Sequence, residues 1–212
     1  MPVITISRQI GAGGETVAKL LSDRLKIDVL DRQLIAEVAA RLEYPHSEVE
    51  EHDERPTGFL NRLLIALAEG SGDLTVPVQA RQWIDPDLDP KRAILKITRQ
   101  VVNEAARTQN VVIVGHGAAY LLRDFPGVLR VFLRASREFR VKAVMELFSL
   151  GEAEAKKRLK ETDANRGGYI KELYGYDWYN TANYDMAFDT SSLGYGAVVN
   201  AIVAVAMARR RD

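Results

Sequence analysis

Near the N-terminus the chain reads ISRQIGAGGET, residues 6–16: a cation, Arg8, then Gly11, Gly13 and Gly14 within four residues, then Glu15 and Thr16. Glycines this dense ahead of a helix let main-chain N–H groups approach an anion closely. The first N–H groups of a helix are unpaired and carry partial positive charge. The chemistry on offer is phosphate binding. Three readings compete. The G-x-x-x-x-G-K-[ST] phosphate loop puts its last glycine on Gly13, but then Arg8 stands at the first glycine, Gly14 at the lysine and Glu15 at the hydroxyl residue. The dinucleotide pattern G-x-G-x-x-G/A fits Gly11 and Gly13, with Asp31 as the acid about twenty residues on. It fails at Thr16, where a small residue is needed, and it implies NAD binding by an oxidoreductase. The third reading is a tight structural turn.

In a standard loop the lysine serves the β- and γ-phosphates and the hydroxyl holds magnesium. Here Arg8 can supply the charge from the strand end, and Thr16 a hydroxyl for a metal, one residue late. Ala12 adds only its main chain. Glu15 repels a triphosphate unless it points away or acts through a metal.

Further along, Arg137 and Arg140 lie at i, i+3 and share one helix face. Arg158, Lys160 and Arg166 follow within thirty residues. Each alone reads as a solvated helix charge. Asp31 and Arg32 close a short strand, the edge at which open α/β sheets take ligands. Asp31 serves equally well as the N-cap of a following helix. His116 follows a strand and reads either as a packed histidine or as a ligand contact.

These residues need a frame to bring them together. VITIS (3–7), IDVLD (27–31), VVIVG (111–115), VLRVFLRAS (128–136) and NYDMAFDTS (183–191) read as strands. VVIVG is continuous and apolar, as suits a central parallel strand. Helical spacing marks 15–25, 33–43, 92–109, the GAAYLLRDF stretch, 137–148, 152–165 and 194–210. Strand–helix alternation predicts a parallel α/β sheet. Residues 44–91 are acidic and loop-rich with one helical patch, and are expected to form an insertion.

Twenty-nine basic residues cancel 29 acidic ones, which argues against broad nucleic-acid binding, since that needs a phosphate-neutralising surface. The absence of cysteine removes disulfides, thiolate metal sites and a cysteine nucleophile. Three scattered histidines do not suggest a zinc cluster. No apolar run approaches the ~20 residues that span a bilayer, and the opening lacks the basic-then-apolar pattern of a signal peptide. A cytoplasmic protein without a membrane partner is expected. The sequence sets no oligomeric state.

Several segments resemble the cytidylate kinase-like family. VFLRASREFRVKAVM (131–145) is similar to a strand ending Phe-Leu-x-Ala-Ser that runs into an arginine-rich helix. VVIVGHGAAYLL resembles the family's Val-x-x-Gly-Arg-Asp strand. KETDANRGGYIKELYGYDWYNTANYDMAFDTSSLG resembles a lid and the strand after it, with Asp163 and Arg166 at Asp-x-x-Arg spacing. ISRQIGAGGETVAKLL with VLDRQLI resembles members that carry Ser-Arg-Gln-x-Gly-x-Gly-Gly in place of the standard loop. The resemblance covers residues 3–35 and 93–200.

It implies a P-loop nucleoside monophosphate kinase fold in one domain: a parallel five-stranded sheet flanked by helices (core 1–43 and 92–212), an inserted helical segment at about 44–91 and a lid at about 150–182. The implied activity is transfer of the ATP γ-phosphoryl to CMP or dCMP with Mg2+. Arg8, Arg140 and Arg166 are then the catalytic cations, Gly11 to Thr16 the phosphate loop, and Asp31, Arg32, His116, Arg137, Arg158 and Lys160 the substrate side. Two departures stand out: Gly14 replaces the loop lysine, and His116 replaces the arginine after the strand glycine. The missing lysine motivates a second expectation, a nucleotide-binding sensor or scaffold that keeps the fold without the chemistry.

Overall fold

A computed structural model describes residues 2–31, 99, 102–107 and 110–209. Arg32, the helix expected at 33–43 and the insertion expected at 44–91 lie outside the described residues. Five strands form one sheet: β1 (Val3–Arg8), β2 (Asp28–Leu30), β3 (Val111–Val114), β4 (Val128–Arg134) and β5 (Met186–Asp189). Their order is β2-β3-β1-β4-β5 and every pairing is parallel. The central strand β1 runs from Val3 beside Val111 and Val128 to Arg8 beside Leu133. Arg8 and the loop after it therefore leave the carboxyl end of the sheet at its centre.

The helices are α1 (Gly14–Leu25), α2 (Ala118–Leu121), α3 (Arg137–Phe148), α4 (Glu152–Tyr174) and α5 (Thr190–Ala208). Residues 99 and 102–107 are also helical, within the stretch expected at 92–109. Side chains alternate across a strand, and both faces of this sheet are covered. On one face Ile4, Ile6, Val112, Val114, Leu129 and Val131 meet Val17 and Leu21 of α1 and Val198 and Ile202 of α5. On the other, Val3, Ile113 and Phe132 meet Val102, Tyr120, Tyr169, Ile170, Trp178 and Tyr184. Ile4, Ile6, Ile113, Leu129 and Leu133 are sealed from solvent; burial of each such side chain stabilises by about 1.5–3 kcal/mol.

A third, smaller cluster bears on the site. Ile10, in the loop after β1, packs with Val141 and Val144 of α3 and Ala155 and Leu159 of α4. The loop is thus tied to the α3–α4 pair as well as to the sheet.

Local chemistry sets the element ends. Ser136 caps α3 by accepting the Phe139 N–H at 3.3 Å, so β4 stops at Arg134 rather than 136. Asp189 accepts the N–H groups of Ser191 and Ser192, which ends β5 and starts α5 four residues earlier than expected. Gly194 (φ 72, ψ 153) then kinks α5. Helix α4 runs to Tyr174, beyond the expected 165, with Gly175 at φ 76 as its C-cap. Gly167 and Gly168 lie inside it, and the buried Tyr169 and Ile170 that follow anchor this last part of the helix.

By length and composition alone α5 is apolar enough to cross a membrane, contrary to the expectation drawn from its sequence. In the fold its Val198, Val199, Ile202 and Ala206 are buried in the sheet core.

Candidate active site

The loop from Arg8 to Gly14 is held largely by its main chain. Gln9 N–H donates to Leu133 O at 3.0 Å, and Ala12 N–H returns to Gln9 O at 3.2 Å. Thr190 Oγ1 donates to Ala12 O at 3.0 Å. Arg166 Nη1 donates to Arg8 O at 2.9 Å. Gly11 and Gly13 both sit at φ 75, a region that glycine enters freely and other residues at a cost of about 1–2 kcal/mol. Gly13 is the N-cap of α1 and has no side chain to cap it. The first bond closing the helix runs from Val17 N–H to Gly13 O at 2.9 Å. The N–H groups of Gly14, Glu15 and Thr16 precede that bond and form the open end of the helix.

This end faces a cleft of about 190 Å³. Its floor is the loop, with Gly11, Gly13, Gly14, Glu15 and Thr16 lining it. Arg8 and Arg166 supply cations, and Ala143, Leu147, Phe148 and Tyr195 form apolar and aromatic walls. The mixture suits a ligand with an anionic part and a flat, less polar part.

Arg8 explains two of the glycines. A Cβ on Gly14 would lie 2.5 Å from Arg8 Cγ and 3.0 Å from Arg8 Cβ. A Cβ on Gly115 would fall on Arg8 Nη1. The arginine stem therefore passes over the position where a standard loop roots its lysine, and its guanidinium reaches the end of β3. A lysine at position 14 would require the Arg8 side chain to shift from this position.

The guanidinium arrives beside Asp31 and His116. His116 Nε2 lies 3.5 Å from Asp31 Oδ1, and both side chains are largely buried. Burial alone would raise the Asp31 pKa. The contact with His116 and the positive charges of Arg8 and Arg166 outweigh burial and leave it below the ordinary carboxylate range. Asp31 is thus an ionised carboxylate held among cations. His116 sits at φ 56 between Gly115 (φ 83) and Gly117 (φ 69). Tyr174 packs so closely on Gly117 that a Cβ there would lie 2.5 Å from its Cε2. Three successive residues at positive φ, one of them not glycine, are backbone strain of the kind that gathers at functional sites.

The other expected residues divide by position. Ala12 is fully buried under the loop. Arg140 is buried, with its Nη1 on Asp163 Oδ2 at 2.5 Å and on Ile10 O at 3.4 Å; it grips the loop from behind and does not line the cleft. Arg137 and Lys160 are exposed and away from the cleft lining. Arg158 lies over the ring of Phe148, 3.9 Å from its centroid, but does not itself line the cleft. Among the described residues no group of three or more histidines, cysteines or acids is placed to hold a metal by itself. A magnesium ion bound chiefly through ligand phosphates needs only one or two protein oxygens, and Glu15 and Thr16 at the cleft fit that need.

Sequence reasoning missed Thr190, Tyr195 and Gly115. The signal for Gly115 was present: a glycine at the end of a central strand often marks close approach of another group. Nothing in the spacing of Tyr195 points to Gly13, 182 positions away, although a Cβ on Gly13 would fall on its ring.

Comparison with known proteins agrees with this frame. The chain is 26% identical to the cytidylate kinase of Pyrobaculum neutrophilum over 201 residues, which is 94% of this chain and 89% of that one. It is 26% identical to the cytidylate kinase of Ignicoccus hospitalis over 202 residues, 95% and 97% of the two chains. Among solved structures it resembles an uncharacterized protein from Eubacterium ventriosum with a TM-score of 0.69 and 19% identity, covering 97% of this chain and 98% of that one. It also resembles the shikimate kinase of Bacteroides thetaiotaomicron with a TM-score of 0.51 and 14% identity, covering 96% and 97%; both likenesses concern the fold. The family model described as the cytidylate kinase-like family matches residues 3–192. With that match spanning the loop, the arginine-bearing α3, α4 and β5, the chain belongs to the cytidylate kinase-like family.

Proposed function

We propose that the protein is a nucleoside monophosphate kinase that moves the γ-phosphoryl of ATP to a monophosphate, with CMP or dCMP as the preferred acceptor. The relatives named cytidylate kinase support the acceptor class. One observation carries the phosphate site: Arg8 occupies the space beside Gly14, so the loop keeps a cation where its lysine is missing.

Phosphoryl transfer asks a protein for positioning and charge neutralisation more than for covalent chemistry. The open N–H groups of Gly14, Glu15 and Thr16 take phosphate oxygens at the helix end. Arg8 and Arg166 place positive charge beside them. Leu147, Phe148 and Tyr195 offer the flat, apolar wall that a nucleobase needs. Asp31 and His116, at the carboxyl end of the sheet, orient the acceptor, and the Asp31 carboxylate fixes the direction of the Arg8 guanidinium. The Thr16 hydroxyl, with Glu15 near it, would hold magnesium together with the phosphates; the ion supplies neutralisation of the charge that develops on the oxygens. Helix α4 and the chain to about residue 182 act as the lid that excludes water. The cytoplasm, as a source of ATP, is the compartment this activity requires.

The test is ADP release from ATP and magnesium across a panel of nucleoside monophosphates. Turnover with CMP or dCMP above the others is expected. ATP binding without transfer to any acceptor would instead establish the sensor alternative that Gly14 motivates.

A further inference from the structure

We propose that Arg140 and Asp163 are positioning residues: they hold the phosphate loop in its ligand-ready shape by gripping the main chain of Ile10, and they do not meet the ligand. The bonds form a closed ring. Ile10 N–H donates to Asp163 Oδ1 at 3.0 Å. Asp163 Oδ2 accepts from Arg140 Nη1, and the same Nη1 donates to Ile10 O at 3.4 Å. Arg140 is 7% exposed and Asp163 5%. Neither lines the cleft.

The ring has neighbours that make it specific to the loop. A Cβ on Gly11 would lie 2.8 Å from Arg140 O, so the loop is pressed against the α3 backbone. The Ile10 side chain is buried against Val141, Val144 and Leu159. Arg166, one turn beyond Asp163 on α4, binds Arg8 O. One face of α4 thus takes the loop main chain on both sides of Gln9.

An ion pair this deeply buried is a poor way to gain stability. Desolvation offsets most of the attraction, and an apolar pair of similar size is often as stable or more so. What an apolar pair cannot do is bond both polar groups of Ile10. Stability and loop geometry are therefore separable by mutation. The link to ligand affinity rests on the nucleotide-binding reading above; the grip on the loop does not.

The experiment compares the full chain, Arg140→Met, and the double variant Arg140→Met/Asp163→Leu. Melting temperature, hydrogen exchange of the peptide spanning residues 8–16, and ATP affinity by calorimetry are read for each. The single variant is expected to melt lower, because it leaves a buried carboxylate unpaired. The double variant is expected to recover part of the melting temperature lost by the single one, because the unpaired charge is gone, while exchange in 8–16 stays about tenfold faster and ATP binds about tenfold more weakly. Recovery of the melting temperature together with wild-type exchange, or faster exchange with unchanged ATP affinity, would overturn the proposal. If the double variant does not fold, Asp163→Asn and Asp163→Ala decide: the amide keeps an acceptor for Ile10 N–H and should retain more protection in 8–16, and equal loss in both contradicts the grip. A wild-type protein that binds no ATP counts against the nucleotide reading, while the exchange comparison still decides the grip.

Discussion

Arg8 fills the space that a side chain at position 14 would need: its Cγ lies 2.5 Å from where a Cβ on Gly14 would stand. The missing lysine and the strand-end arginine are two sides of one packing solution. Restoring the standard lysine by Gly14→Lys should therefore harm the protein. We expect a loss of about 1–3 kcal/mol in stability from overpacking, and weaker ATP binding. Adding Arg8→Ala to Gly14→Lys should return most of that stability, because the stem that clashes is gone. Urea unfolding of the two single variants and the double measures the coupling.

Gly13 is constrained twice, by φ 75 and by the Tyr195 ring against it. Gly13→Ala is expected to cost about 1–2 kcal/mol from the backbone alone. The ring is the end of a side chain flanked by Gly194 and Gly196, and it can move aside. Tyr195→Ala in the Gly13→Ala background should therefore relieve little of the loss. Full recovery in the double variant would place the strain in the ring contact instead.

The fold was legible because its signals are local and strong. VITIS and VVIVG are short runs rich in β-branched residues with no charge in them, and they became neighbouring strands at the middle of the sheet. The strand–turn–helix unit that carries the glycine loop and Thr16 was legible for the same reason: spacing along one such unit dictates where its backbone points. The arginines were less legible. Arg137 and Arg140 share a helix face by spacing, yet one is exposed and the other buried. Which cation turns inward depends on Asp163, 23 residues later on another helix, and helix spacing carries no information about that. Likewise the sequence ended α4 at 165, because the burial of Tyr169 and Ile170 depends on tertiary contacts with one face of the sheet.

Acid stability should report on Asp185. It accepts from Arg130 N–H, Nε and Nη2 at 2.7, 3.1 and 3.0 Å and pairs with Arg209 at 3.2 Å. Partial burial would raise its pKa, but these donors outweigh burial and pull it from 3.8 to about 2. A carboxylate whose folded pKa is depressed stabilises fully above its unfolded pKa and loses that contribution as pH falls through the folded value. Asp185→Asn should thus cost about 1 kcal/mol at neutral pH, discounted for partial exposure. The difference from wild type should shrink between about pH 4 and pH 2. A difference that stays constant over that range would remove Asp185 from the acid transition.

Asp31 is expected to matter for activity more than for folding. Its carboxylate faces Arg8, His116 and Arg166, and Asp31→Asn keeps its shape while removing the charge that steers Arg8. A KM increase for the acceptor of about tenfold or more is expected, with a modest fall in melting temperature, since a carboxylate whose pKa is lowered on folding stabilises at neutral pH. Unchanged acceptor KM would exclude Asp31 from the acceptor side.

The most direct measurement is the steady-state turnover of Arg8→Ala with ATP, magnesium and the best acceptor, beside its melting temperature. With Arg8 as the cation of a lysine-less loop, kcat/KM should fall by about a hundredfold or more, while the fold melts within a few degrees of wild type. Turnover close to wild type in the folded variant would contradict that role for Arg8.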